Sequence, residues 1–158
     1  TDIPVFLNTP LGIDATEIYS RYLEEHKTFS GLGNGNQPGQ NPFHCENLHL
    51  MHSQEESKRL NELAGPAIII AGSGMITGGR ILHHLKAYAG DPTTRLVIVG
   101  YQADGTRGRA MLDGAKSIKI HGQPISVRCK IEHLDSLSAH GDVDDIMQWL
   151  RQFDRPPR

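Results

Sequence analysis

Ser138-Ala139-His140-Gly141-Asp142 places an imidazole between a hydroxyl and a carboxylate, directly ahead of a stretch with helical spacing. Imidazole is the side chain best suited to take and give a proton near neutrality, and neighbours at a helix start can orient it, so His140 is a candidate general acid or base. A histidine that only caps its loop is the structural alternative. Two further stretches combine glycines with basic and hydroxyl residues: Gly72-Ser73-Gly74-Met75-Ile76-Thr77-Gly78-Gly79-Arg80 and Gly100-Tyr101-Gln102-Ala103-Asp104-Gly105-Thr106-Arg107-Gly108-Arg109. Each follows an apolar run and precedes a helical one, so each could aim free N–H groups and a positive dipole end at an anion. The candidate phosphate-contacting residues are Ser73, Gly74, Thr77 and Arg80 in the first turn and Gln102, Thr106 and Arg109 in the second. The structural alternative is a tight strand-to-helix turn and nothing more.

Known phosphate and nucleophile motifs do not fit these turns. The third glycine of a dinucleotide fingerprint is replaced by Thr77, no acid ends the following strand, and neither Gly-Lys-Ser/Thr nor Gly-x-Ser-x-Gly occurs in the first turn. His44, Cys45, His49 and His52 lie close together, but their spacing matches no zinc finger or ribbon. His83 and His84 are adjacent on a helix and face different ways, which suits packing or surface positions better than joint ligation.

A chain of 158 residues makes one ordinary domain with a real core. Two cysteines are too few for a disulfide framework, and no signal-peptide or membrane-length apolar run is present, so a cytoplasmic protein without a membrane partner is expected. The net charge of −2 hides an asymmetry: between Gly78 and Lys130 nine Lys or Arg face three acids, while the remainder is strongly acidic. Solvated helix faces would explain that equally well; its coincidence with the glycine turns favours an anionic partner.

The elements that must position these groups follow from periodicity. Ile3–Leu7 reads as a strand. A helix with Asp14 as N-cap and Glu17 completing a capping box should run to about His26. Phe29–Phe43, rich in Gly, Asn, Gln and Pro, reads as a long surface loop. Leu48–Met51 is a short strand or an extended lead-in, and Ser53 with Glu56 caps an outer helix reaching Leu63. Ile68-Ile69-Ile70 is apolar without alternation, which predicts a strand buried on both faces of a parallel sheet. The next helix should start near Thr77 or Gly78, with Thr77 as N-cap. Arg95–Val99 is another buried-type strand, followed by a short helix through Leu112. Ser117–Ile120 and Ile125–Ile131 predict a β-hairpin around His121-Gly122-Gln123. A last helix spans Asp142–Phe153. The fold class expected is α/β, a Rossmann-like three-layer α/β/α arrangement with a mainly parallel sheet and a hairpin near the C-terminal part. Ligands of such sheets bind at the carboxyl ends of the strands, where the two glycine turns would meet if their strands are neighbours.

Taken jointly and in order, Pro4-Val5-Phe6-Leu7-Asn8-Thr9-Pro10 with Ala15-Thr16-Glu17-Ile18-Tyr19, Ser73-Gly74-Met75-Ile76-Thr77-Gly78-Gly79-Arg80, Val99–Thr106 and Ser138–Asp142 resemble the β-CASP domain of metallo-β-lactamase-superfamily ribonucleases. The likeness covers nearly the whole chain and is nearest to bacterial and archaeal RNA-processing members, relatives of the pre-mRNA 3′-end processing endonuclease. It implies a parallel α/β sheet inserted into a metallo-β-lactamase domain of the same polypeptide, with single-stranded RNA cleaved between the two. It also implies two zinc ions that generate the hydroxide and hold the scissile phosphate. His140 matches the motif proposed to protonate the leaving oxygen, and Ser138 beside it is expected to touch phosphate.

No His-x-His-x-Asp-His occurs in the sequence. The expectation is therefore a single β-CASP segment over residues 1–158, holding the substrate clamp and one catalytic histidine, with the zinc ligands in flanking domain parts. It would bind no zinc and cleave nothing by itself. An oligomer is compatible with this reading. Two alternatives stay open on residues alone: a Rossmann-like module that binds a nucleotide or phosphate without catalysis, and a structural interaction domain.

Overall fold

The computed structural model describes residues 3–22, 45–136, 141–153 and 155. Its elements run β1 (Val5–Asn8), α1 (Pro10–Arg21), β2 (Leu48–Leu50), α2 (Gln54–Arg59) continued by a 3₁₀ turn (Leu60–Glu62), β3 (Ile68–Ala71), α3 (Ile81–Tyr88), β4 (Arg95–Val99), α4 (Arg107–Leu112), β5 (Ser117–Ile120), β6 (Gln123–Ser126), β7 (Lys130–Leu134) and α5 (Val143–Leu150). The class is α/β, as expected. The parallel strands form two ladders. One has the order β2-β1-β3, with Val5 opposite both Leu48 and Ile68; the other pairs β4 with β7, Arg95 opposite Lys130. No helix among the described residues is long and apolar enough to cross a membrane.

Local expectations hold where the signal is local. Ser53 caps α2, its hydroxyl accepting from Glu56 N at 3.1 Å while Glu56 accepts from Ser53 N at 2.8 Å. The hairpin is present, but its second strand ends at Ser126. The apolar run beyond it leaves the hairpin and becomes β7, a parallel partner of β4. His121 and Gly122, at φ 47° and 81°, make the two-residue turn, whose backbone twist suits a right-twisted hairpin.

Three expectations are corrected. Helix α1 begins at Pro10, not beyond Gly12 with Asp14 as cap. Pro10 brings the right φ to the first turn and has no N–H to leave unpaired, and the Thr9 carbonyl accepts from Ile13 N. Gly12 does not break the helix; a Cβ there would sit 2.4 Å from the Thr9 methyl, so glycine admits a close approach. The helix ends at Arg21, with Tyr22 at the C-cap; His26 and the loop 29–43 lie outside the described residues.

Second, α3 starts at Ile81. The preceding loop has left-handed φ at Ser73, Ile76 and Gly79, and Thr77 is turned toward Ser73 Oγ instead of capping the helix. Third, β3 is not buried on both faces: Ile68 and Ile70 are about half exposed, and Val97 and Val99 of β4 are similarly bare. In these strands exposed side chains alternate with sheltered ones, of which Ile98 alone is buried, whatever their uninterrupted apolar spelling.

The main core is built from Ile76, Leu82, Leu85, Ala89, Ile98, Met111, Ile118, Ile120, Val127 and Cys129. Met111 and Ile120 are fully enclosed, each contributing about 1.5–3 kcal/mol by leaving water. Burial pushes the Cys129 thiol above its ordinary range, away from thiolate chemistry.

Candidate phosphate-binding cleft

Because β1 and β3 are parallel and pair Asn8 with Ala71, both strands deliver their next residues to the same sheet edge. There the 72–80 loop, α2, the start of α3 and the β5–β6 hairpin surround a cleft of about 960 Å³. Its cationic lining is Lys58, Arg80, Arg107 and Lys119, joined by His83 and His121. Among the described residues no carboxylate lines it. Four like charges facing one concavity set up a positive potential that attracts polyanions and repels cationic ligands.

The wall of the cleft is a buried polar network centred on Asn8, which has no exposure to solvent. Asn8 Nδ2 donates to Ser57 Oγ at 2.9 Å and to His84 Nε2 at 2.6 Å, while Asn8 Oδ1 accepts from Arg80 Nη1 at 2.8 Å. His84 Nδ1 lies 2.7 Å from Asn61 Oδ1. This pattern assigns a neutral imidazole protonated on Nδ1, since Nε2 must accept. Arg80 also donates to the Met51 and His52 carbonyls at 2.7 and 2.9 Å, fastening the start of α3 to the lead-in of α2. Burial drives the His84 imidazole down to about 4, helped by the neighbouring His83 and Arg80 charges.

A testable consequence concerns acid. The unfolded chain takes up a proton at His84 near pH 6.5, whereas the folded chain resists until about pH 4. The unfolded state binds more protons inside that window, so folding stability should fall as pH drops from 6.5 to 4. The expected loss is about 1–3 kcal/mol after allowance for partial solvent screening. Chemical denaturation at pH 7, 5.5 and 4.5 checks it against His84→Gln, which should lose less on acidification; equal acid slopes in the two proteins would remove His84 as the cause.

The second glycine turn meets the first, though β3 and β4 share no ladder. Gln102 is buried and its Nε2 donates to Gly74 O at 2.8 Å and Tyr101 O at 2.9 Å; Gly108 N donates to Met75 O at 3.2 Å. A Cβ at Gly108 would fall 1.7 Å from Gln102 Oε1, so only glycine lets α4 approach this amide. Arg107 completes the joint, Nε donating to Lys119 O at 2.6 Å and Nη1 to Ile76 O and Thr77 O at 3.2 Å.

The sequence candidates therefore divide. Ser73, Thr77 and Arg80 line the cleft. Ser73 Oγ accepts from Gly78 N at 3.1 Å and lies 3.3 Å from Thr77 Oγ1, so the two hydroxyls shape the loop. Gly74 and Gln102 hold each other, as described. Thr106 caps α4, accepting from Arg109 N at 3.2 Å. Arg109 pairs with Asp113 one turn along α4 and does not line the cleft; the pairing raises the guanidinium and lowers the carboxyl from their ordinary values. His140 and Ser138 lie outside the described residues. Asp142, next along, is the N-cap of α5, its Oδ1 accepting from Asp144 N and Asp145 N at 2.8 and 3.0 Å.

Sequence reasoning missed Asn8, Ser57, Lys58, Asn61, Lys119 and His121. The available signal was an amide at the end of an apolar strand, Phe6-Leu7-Asn8, where asparagine is disfavoured unless its side chain has work elsewhere. For the zinc reading, His49 stacks on Phe6 at 5.2 Å, Cys45 is exposed and His44 is outside the described residues. Among the described residues no three His, Cys, Asp or Glu converge as a metal site.

Comparison with known proteins matches two stretches of the chain to family models. Residues 1–111 match the Beta-Casp domain and residues 124–157 match the Zn-dependent metallo-hydrolase RNA specificity domain. Ribonuclease TTHA0252 of Thermus thermophilus is 35% identical over 151 residues, covering 94% of this chain and 34% of the relative. The RNase J-like protein of Methanocaldococcus jannaschii is 32% identical over 157 residues, covering 99% of this chain and 34% of that protein. Transcription termination factor FttA of Pyrococcus abyssi is 31% identical over 169 residues, with 99% and 25% covered. The chain spans about a third or less of these relatives' length. With more than half of its residues matched by the first family model, the chain belongs to the β-CASP domain family of the metallo-β-lactamase superfamily.

Proposed function

We propose that this chain is the substrate clamp of a zinc-dependent ribonuclease that hydrolyses phosphodiester bonds in single-stranded RNA. The observation that carries the proposal is the cleft at the carboxyl edge of the parallel sheet, lined by four cationic side chains and, among the described residues, by no carboxylate. A run of backbone phosphates would satisfy it, and the relatives named as ribonucleases fit that substrate. His140 would protonate the leaving oxygen and Ser138 would touch phosphate, by their match to the family motif. The described residues do not supply a zinc set, so the two ions, with the hydroxide they supply, would belong to a metallo-β-lactamase domain of the same polypeptide. In this reading residues 1–158 alone bind no zinc and do not cleave RNA, and the protein works in the cytoplasm.

RNA titration at two salt concentrations tests the clamp. The affinity should fall steeply with salt, with a slope of about −0.7 per neutralised phosphate. Lys58→Gln should weaken binding and flatten the slope by about one such unit, because Lys58 lines the cleft. Arg95→Gln should do neither, since Arg95 pairs with Glu132 on the β4–β7 ladder at 2.6 Å. Equal losses in the two variants would count against an electrostatic groove at this edge.

A further inference from the structure

We propose that His83, His121 and Lys119 form a subsite at the rim of the cleft for one backbone phosphate of single-stranded RNA. This rests on the RNA reading above and names the residues that would hold one part of the strand.

The two imidazoles arrive from separate elements, His83 from the first turn of α3 and His121 from the tip of the β5–β6 hairpin, yet their ring centroids are 5.4 Å apart. Both are exposed and both line the cleft, as does Lys119 two residues before the tip. Their approach is not left to chance. The guanidinium of Arg107 donates at once to Lys119 O on the hairpin and to Ile76 O and Thr77 O on the loop that leads into α3, locking hairpin and loop together. The hairpin tip also carries a histidine at φ 47°, a left-handed position where asparagine or glycine is the ordinary choice.

Charge explains what such a pair would take. Lys119 on β5, Arg107 on α4, Lys58 on α2 and Arg80 at the start of α3 all face the same cleft, His84 behind them is neutral, and no described carboxylate lines the space. Two imidazoles 5.4 Å apart among fixed cations have no carboxylate beside them among the described residues lining the cleft, so a bound phosphate oxygen is the partner they fit. A phosphate oxygen held there would favour the charged form of both rings, so RNA affinity should be higher at the lower pH.

The test uses the intact protein and a phosphorothioate single-stranded RNA that resists cleavage, with binding followed by fluorescence anisotropy at fixed salt. Binding should be at least about threefold tighter at pH 6.0 than at pH 8.0, the size expected for two solvent-exposed charge contacts. The double variant His83→Gln, His121→Asn should lose that gain while keeping its melting temperature, since both residues are exposed and asparagine suits the turn. Lys119→Gln should flatten the salt slope by about 0.7. RNA that binds the double variant with the full pH gain overturns the subsite and leaves the wider RNA reading standing. A parallel titration with inorganic phosphate, read by the imidazole resonances, covers the other failure. Resonances of His83 and His121 that move with phosphate in a protein that binds no RNA keep the anion subsite and remove the RNA reading.

Discussion

Replacing His140 by alanine in the intact protein is expected to slow RNA cleavage by about 10²- to 10⁴-fold, with zinc content and much of the RNA affinity retained. The departing oxygen of a phosphodiester leaves as a poor alkoxide, so a proton donor within hydrogen-bond reach stabilises the transition state more than the bound substrate. The loss should therefore fall on kcat. Asp142 bears on this expectation. One of its carboxylate oxygens accepts two N–H groups of α5, so its first duty is to start that helix two residues after His140. If His140 merely helps to cap the same turn, Asn in its place would keep most activity, and Ala would lower stability by about 0.5–2 kcal/mol instead of the rate. Single-turnover cleavage, metal content and melting temperature for the Ala and Asn variants separate the two; near-wild-type cleavage by His140→Asn would strike His140 from the catalytic set.

Asn8→Ala should be the most damaging single change to the cleft wall, at about 2–4 kcal/mol. Truncation strips Ser57 and His84 of a donor and takes one acceptor from the Arg80 guanidinium, all at a site closed to solvent. Asn8→Asp makes the cause visible. A carboxylate would still accept from Arg80 but could not donate to His84 Nε2, so the imidazole would have to bring its own proton there. Thermal unfolding should rank wild type above Asp and Asp above Ala near neutral pH, and the His84 ring should titrate at higher pH in the Asp variant. An Ala variant as stable as wild type would show that the network contributes geometry without net stability.

What could be read in the chain beforehand was what short-range chemistry determines. The Ser53–Glu56 capping box, the tight turn at His121-Gly122 and the two glycine turns each depend on a few neighbouring residues, and all were legible. Helix starts were less so: Asp14 and Thr77 have capping side chains, but Pro10 and the left-handed positions at Ser73, Ile76 and Gly79 decide where α1 and α3 begin. The sidedness of β3 was hidden because Ile68, Ile69 and Ile70 spell one apolar run, whereas exposure is set by what packs on each face. The fate of Lys130–Leu134 turned on β4, far upstream, and not on the adjacent hairpin. The polar centre of the cleft was least accessible of all. Asn8 and His84 are 76 positions apart, and nothing in either neighbourhood announces the other. Arg80 and Gln102 were recognised as important, yet the structure shows their donors engaged with protein acceptors.

The placement of the core has a consequence for how the molecule breathes. Every buried member of the main cluster comes from one continuous stretch, Ile76 to Cys129, whereas β1, with Asn8 at its end, reaches that stretch only across long chain separations. Releasing β1 would undo the polar wall, since Asn8 leaves with it, whereas Met111 and Ile120 belong to a cluster in which β1 has no member. Loop closure makes the N-terminal attachment entropically the more expensive of the two, while the core closes over short connections. The cleft wall and the main core thus draw on different parts of the chain, the wall on hydrogen bonds that join Asn8 to His84 and Arg80 and the core on apolar contacts within Ile76–Cys129.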